Sequence, residues 1–178
     1  MTNPIHVELK SIKIHASLSE ETTAYTAKIF VDGVMLGEVS NSGQGGCDRF
    51  QAVKKSPENA YRLYDEACRR VKEELPKQNL ADHGQPENLV EDDMDFLCAR
   101  LVGDEDLLKR MRRLLKTRVL MFDKGMPTAP GASLYEYKLQ SPTVLAAVAA
   151  AIRRKHPDAW ILNEQTEEVA LKAMKLAA

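Results

Sequence analysis

Asp32-Gly33 stands between two runs of alternating residues, and no other pair in the chain restricts the fold as tightly. Upstream, Tyr25, Ala27, Ile29 and Val31 alternate with Thr26, Lys28 and Phe30, the period of a strand with one buried face. Asp-Gly supplies both positive-φ positions of a two-residue type I′ turn. The spacing therefore predicts a hairpin in which Val31 faces Val34, Ile29 faces Leu36 and Ala27 faces Glu38. Nearer the start, Val7 and Leu9 alternate in one phase and Ile12 and Ile14 in the other, so the slip at Lys10-Ser11 predicts a bulge or bend. Three antiparallel strands are expected, and such a meander needs a cover on its apolar face.

Past Val39 the chain becomes Asn41-Ser42-Gly43-Gln44-Gly45-Gly46-Cys47-Asp48-Arg49. Two uses fit. Glycines let a chain leave a strand and cross a sheet edge, and they also allow successive N–H groups to converge on an anion, with Arg49 as a possible bidentate clamp. The second use makes Asn41, Gly43, Gly45, Gly46 and Arg49 the candidate ligand-binding residues. The loop is not a phosphate-binding P-loop, since no Gly-Lys-Ser/Thr follows, and it is not a GxGxxG opening a helix.

Ser19-Glu20-Glu21-Thr22, then Ala27-x-Ile29-Phe30-x-Asp32-Gly33-x-x-x-Gly37, then Asn41-x-Gly43-x-Gly45-Gly46 resembles the start of a family of small, uncharacterised proteins of phages and mobile elements. The likeness covers about the first fifty residues, with a fainter echo in Trp160-Ile161-Leu162-Asn163-Glu164. It implies a phage-type genomic setting. No activity is assigned to that family, so it implies nothing catalytic.

The cover follows the loop. Ser56-Pro57 reads as an N-cap followed by proline at the first helical position, and Ala60, Leu63, Tyr64, Ala67, Cys68, Val71 and Leu75 recur at helical steps. A helix over 57–75 is expected on the meander. Pro76 to Asn88 reads as a polar linker in which His83 stands alone, and a second helix is expected from about Leu89, with Glu91, Asp92, Asp93 and Asp95 complementing its dipole. Gly103 is expected to close it and Asp104 to cap a third. Val119–Phe122 and Leu134–Leu139 then read as a hairpin, Ser141-Pro142 as the start of an alanine-rich helix through Lys155, Trp160–Leu162 as a short strand, and Thr166–Leu176 as a last helix.

These elements make an α+β protein: an N-terminal three-stranded antiparallel meander packed on a helix, a helical pair, then a β-hairpin with C-terminal helices. Residues 1–75 and 89–178 are expected to share one core and one sheet. At 178 residues the chain can bury such a core without staples.

Lys109, Arg112, Arg113 and Lys116 fall on one face of the third predicted helix, flanked by Arg110 and Arg118, so six cations lie in ten residues. This is either an ordinary solvated face or a surface for phosphates or an acidic partner, in which case Lys109, Arg112, Arg113 and Lys116 bind a nucleic acid or a host protein. Net charge is −1, which excludes a uniformly basic nucleic-acid coat. No apolar run approaches the roughly 20 residues of a membrane span, and nothing resembles a signal peptide, so a cytoplasmic protein without membrane contact is expected. Cys47, Cys68 and Cys98 are odd in number and form no CxxC, which fits reduced thiols rather than disulfides or zinc. No cofactor or metal site is indicated.

Asp123 with Glu136-Tyr137-Lys138 has the order of a D…ExK nuclease, in which two carboxylates hold Mg²⁺ and lysine stabilises charge. Asp123, Glu136 and Lys138 are therefore the catalytic set of an alternative function. The favoured expectation is a non-enzymatic binding protein of a phage or mobile element, a counter-defence inhibitor recognising a host protein, nucleic acid or nucleotide-like anion through the glycine loop and the basic face.

Overall fold

A computed structural model describes residues 4–74 and 94–177 of the chain. The linker, His83, and the Glu91, Asp92 and Asp93 cluster lie outside the described residues. The chain divides into two compact units, Met1–Asp104 and Glu105–Ala178. The fold is α+β, and among the described residues the strands fall into two sheets, one of four strands and one of three, rather than the single shared sheet expected.

The first unit holds β1 (Val7–Ile14), β2 (Tyr25–Val31), β3 (Val34–Asn41) and β4 (Arg49–Ala52), hydrogen-bonded in that order, all antiparallel. The expected meander thus gains a fourth strand, because Arg49–Ala52 returns along β3 after the glycine loop. Asp32 (φ 48°) and Gly33 (φ 82°) form the type I′ turn, and Val31 faces Val34. Further from the turn the expected register is corrected: Ile29 pairs with Gly37 and Ala27 with Val39, leaving Leu36 as an extra residue. Strict alternation would have put Glu38 in the core and Val39 in water. The bulge lets Leu36 and Val39, three residues apart, both face inward.

The slip predicted in β1 is present. Register shifts between Lys10 and Lys13, with Ser11 at φ 55°. Leu9 and Ile14 consequently share the core face, while Lys10 and Lys13 share the opposite one.

Helix α1 (Pro57–Glu74) and the start of α2 (Met94–Leu115) cover the inner face. Tyr25, Ile29, Val39, Val71 and Cys98 are at most 2% exposed there. Each large apolar side chain so buried contributes about 1.5–3 kcal/mol. Phe50 of β4 stacks flat on Tyr64 at 3.9 Å between centroids and meets Tyr61 edge-on at 5.4 Å, which fastens the added strand to α1.

The expected helical pair is one helix. Gly103 lies inside α2, where a Cβ would meet nothing within 4 Å, and one interior glycine costs only about 1 kcal/mol, less than a break in the helical hydrogen bonds. In the second unit, β5 (Arg118–Phe122) lies between β6 (Tyr135–Lys138) and β7 (Trp160–Ile161), antiparallel to both. Leu120 and Phe122 face one cluster with α4 (Glu167–Ala177), and Val119 and Met121 face another with α3 (Leu145–Lys155). The Ser141-Pro142 signature opens a 3-10 turn, Pro142–Val144, before α3 begins. Among the described residues, no helix is long and apolar enough to cross a membrane.

Two stability predictions follow from the first unit. A Cβ on Gly37 would lie 2.1 Å from the Gln51 carbonyl oxygen and 2.8 Å from the Phe50 ring, so Gly37→Ala should lower unfolding free energy in urea by about 1–3 kcal/mol. Asp32 accepts the His6 amide at 3.0 Å and the Arg70 guanidinium at 3.0 Å, which holds its carboxyl below the usual range. A folded-state pKa so depressed contributes stability above the unfolded carboxyl's pKa and loses it as pH falls through the folded value. Asp32→Asn keeps the type I′ preference and should flatten acid unfolding below about pH 4, as followed by circular dichroism.

Candidate functional site

The segment from Asn41 to Arg49 is held by one side chain. Asn41 Oδ1 accepts the Thr22 hydroxyl at 2.8 Å and the Gly43 amide at 2.8 Å, while its Nδ2 donates to the Gly46 carbonyl at 2.9 Å and to Asp48 Oδ1 at 2.9 Å. Two donors and two acceptors are all that a carboxamide has, so Asn41 is committed to the loop. The Gly43 carbonyl accepts the amides of Glu20, Glu21 and Thr22, and the Gly45 amide donates to the Thr22 hydroxyl. The turn that opens the hairpin is thereby tied to the loop that leaves it.

The glycines separate by role. Gly43 is buried at φ 87°, and a Cβ there would lie 2.2 Å from the Leu18 carbonyl oxygen. Gly45 has φ 78° and sits against the Glu21 carboxylate. Gly46 needs neither: its φ is ordinary and a Cβ would meet nothing within 4 Å. Gln44, Gly46 and Cys47 are exposed residues whose amides have no acceptor among the described residues, and Arg49, also exposed, begins β4. The loop therefore presents main-chain donors and one guanidinium on a rigid frame.

Under the loop lies a polar cluster that the sequence did not reveal. Asp48 Oδ2 accepts the buried Tyr25 hydroxyl, and the Asp48 amide donates to Asp95 Oδ2 at 3.1 Å. Burial first, then the neighbouring Cys98 and Asp48, pushes the Tyr25 phenol up. Burial also raises the Cys98 thiol, helped by the Asp48 carboxylate. Asp48 lies seven residues from Asn41 and Asp95 lies across the fold, so no local spacing announces the cluster.

The basic residues of the second unit are partly spent. Lys109 pairs with Glu105 at 3.3 Å, Arg112 makes a bidentate pair with Glu167 at 2.6 Å, and Arg118 pairs with Glu136. The Arg112 pair holds the Glu167 carboxyl below its usual range. Arg113 and Lys116 are exposed, with no ion pair among the described residues.

Asp123, Glu136 and Lys138 all belong to the second unit. Glu136 sits opposite Leu120 and Lys138 opposite Arg118, while Asp123 lies beyond the last paired residue of β5. The Glu136 carboxylate is neutralised by Arg118, and among the described residues no three His, Cys, Asp or Glu side chains converge to hold a metal. Two clefts beside α1, lined by described residues, hold about 160 and about 170 Å³, below the roughly 300 Å³ at which small-molecule pockets begin.

Cys47 is exposed, Cys68 half-buried and Cys98 buried with a raised pKa. Maleimide followed by mass spectrometry should label Cys47 first and Cys98 only on unfolding; equal labelling of the two in folded protein would contradict this packing. Searches against protein-family models, curated proteins and solved structures find no match to this chain.

Proposed function

We propose that this chain is a non-enzymatic binding protein of a phage or mobile element, and that the Asn41–Arg49 loop takes a phosphate-like anion on its binding partner. The observation that carries this is the division among the loop's glycines. The fold requires Gly43 and Gly45 through positive φ and close neighbours, but gives no reason for Gly46, an exposed residue whose amide, like those of Gln44 and Cys47, has no acceptor among the described residues, with Arg49 three residues further on. A residue without a side chain at that point lets an anion reach the backbone. Arg49 supplies the charge, and the frame built on Asn41 removes the entropy of ordering the loop on binding.

The genomic setting rests on the resemblance in the first fifty residues. In that setting, a protein that grips without transforming acts by occupying a host component, the mode of a counter-defence inhibitor.

Amide resonances of ¹⁵N-labelled protein titrated with inorganic phosphate, and separately with a nucleoside monophosphate, provide the test. The Gln44, Gly46 and Cys47 amides should shift. Gly46→Val should abolish the shifts without moving the thermal melt, and Arg49→Gln should weaken binding about tenfold, the size of one charge-assisted hydrogen bond. Loop amides that stay still in both titrations would end the proposal.

A further inference from the structure

The outer face of the four-stranded sheet, opposite α1 and α2, carries cations in aligned rows. One row runs Lys13, Thr26, Ser40, Arg49, each residue directly across from the next. The adjacent row runs Lys10, Lys28, Glu38, Gln51. Beside it, Glu8, Phe30 and Met35 make a third. The bulge at Lys10–Lys13 makes this possible, since residues three apart on a regular strand face opposite ways.

Two features set this face apart from a solvated sheet surface. Lys10 lies directly opposite Lys28, a like-charge cross-strand pair, and Glu38 lies opposite Lys28 on its other side without forming an ion pair with it. Lys10 leans away, to Glu8 at 3.1 Å and over the Phe30 ring at 4.6 Å, whereas Lys13, Lys28 and Arg49 have no ion pair among the described residues. The Thr26 and Ser40 hydroxyls likewise have no partner among the described residues. In a chain of net charge −1, four cations against two carboxylates on one sheet face is a local excess.

We infer that this face binds single-stranded nucleic acid, with phosphates along the Lys13–Arg49 row and Lys28, and bases toward Phe30 and Met35. The row crosses four strands and spans roughly 14 Å, over which a stacked strand carries about four phosphates. Hydroxyls between terminal cations suit phosphate oxygens, and the exposed Met35, beside the half-buried Phe30 whose ring carries Lys10 over one face, offers an apolar edge to an unpaired base. The inference extends the proposed binding role from loop to sheet, and the two share Arg49. Gly46→Val tests the loop and lysine variants test the sheet, so each can fail alone.

Anisotropy of labelled oligodeoxynucleotide and oligoribonucleotide of the same sequence, single-stranded and duplex, reads the outcome. Three free cations predict a log–log salt slope of about −2 for single strands. Lys13→Gln with Lys28→Gln should weaken binding at least about tenfold and bring the slope to about −0.7, with an unchanged melt, and Lys28→Arg should preserve binding. Arg113→Gln with Lys116→Gln should leave it intact. The DNA and RNA arms report which sugar the face prefers. No single-strand binding at low salt, equal affinity for duplex or for heparin, undiminished binding by the folded lysine double variant, or loss through Arg113 and Lys116 would each overturn the inference.

Discussion

The carboxamide of Asn41 organises the first unit beyond the reach of its secondary structure. Its four hydrogen bonds join the turn before β2, the loop after β3 and the carboxylate that receives the Tyr25 hydroxyl. Every atom it can offer is used. Aspartate there would lose both donors, and alanine would leave the Thr22 hydroxyl, the Gly43 amide, the Gly46 carbonyl and Asp48 without this partner at once. The course of the loop from Gly43 to Asp48 is held by this one side chain, while β4 itself is held by its pairing with β3 and by Phe50 on Tyr64.

Most residues that carry the resemblance have structural work in this neighbourhood. The Ser19 hydroxyl receives the Ala24 amide, Thr22 bridges Asn41 and Gly45, Asp32-Gly33 makes the turn, and Gly37 lets β4 pass close. In the fainter echo, Asn163 receives the Leu120 amide and donates to the Leu115 and Arg118 carbonyls, and Glu164 pairs with Arg153. A motif can thus be specific because it builds a joint. Gly46 is the member for which the joint gives no reason, which is why the binding proposal rests there.

Charge is distributed by the same logic of committed and uncommitted groups. On α2 and β5, Lys109, Arg112 and Arg118 have carboxylate partners, so an apparently continuous basic stretch is interrupted. On the outer sheet face, Lys13, Lys28 and Arg49 come from three strands and look unrelated along the chain, yet the register lines them up. Exposed ion pairs contribute little to stability, and their consequence here is to decide which cations are left for a partner.

The sequence by itself determined the local features: the type I′ turn, the β1 bulge, the α1 helix, the second hairpin and the two C-terminal helices. Each follows from turn chemistry or apolar period over a few residues. Only tertiary structure decided the β3 bulge, which serves a core that Leu36 and Val39 must both reach, and the continuity of α2 through Gly103, where helical hydrogen bonds outweigh one residue's propensity. It also decided that the Glu136 carboxylate pairs with Arg118, and that two bulges and a returning strand bring cations from separate strands onto one face. Local period records which way a side chain points relative to its neighbours, whereas its partner across a sheet depends on register, which the whole core sets.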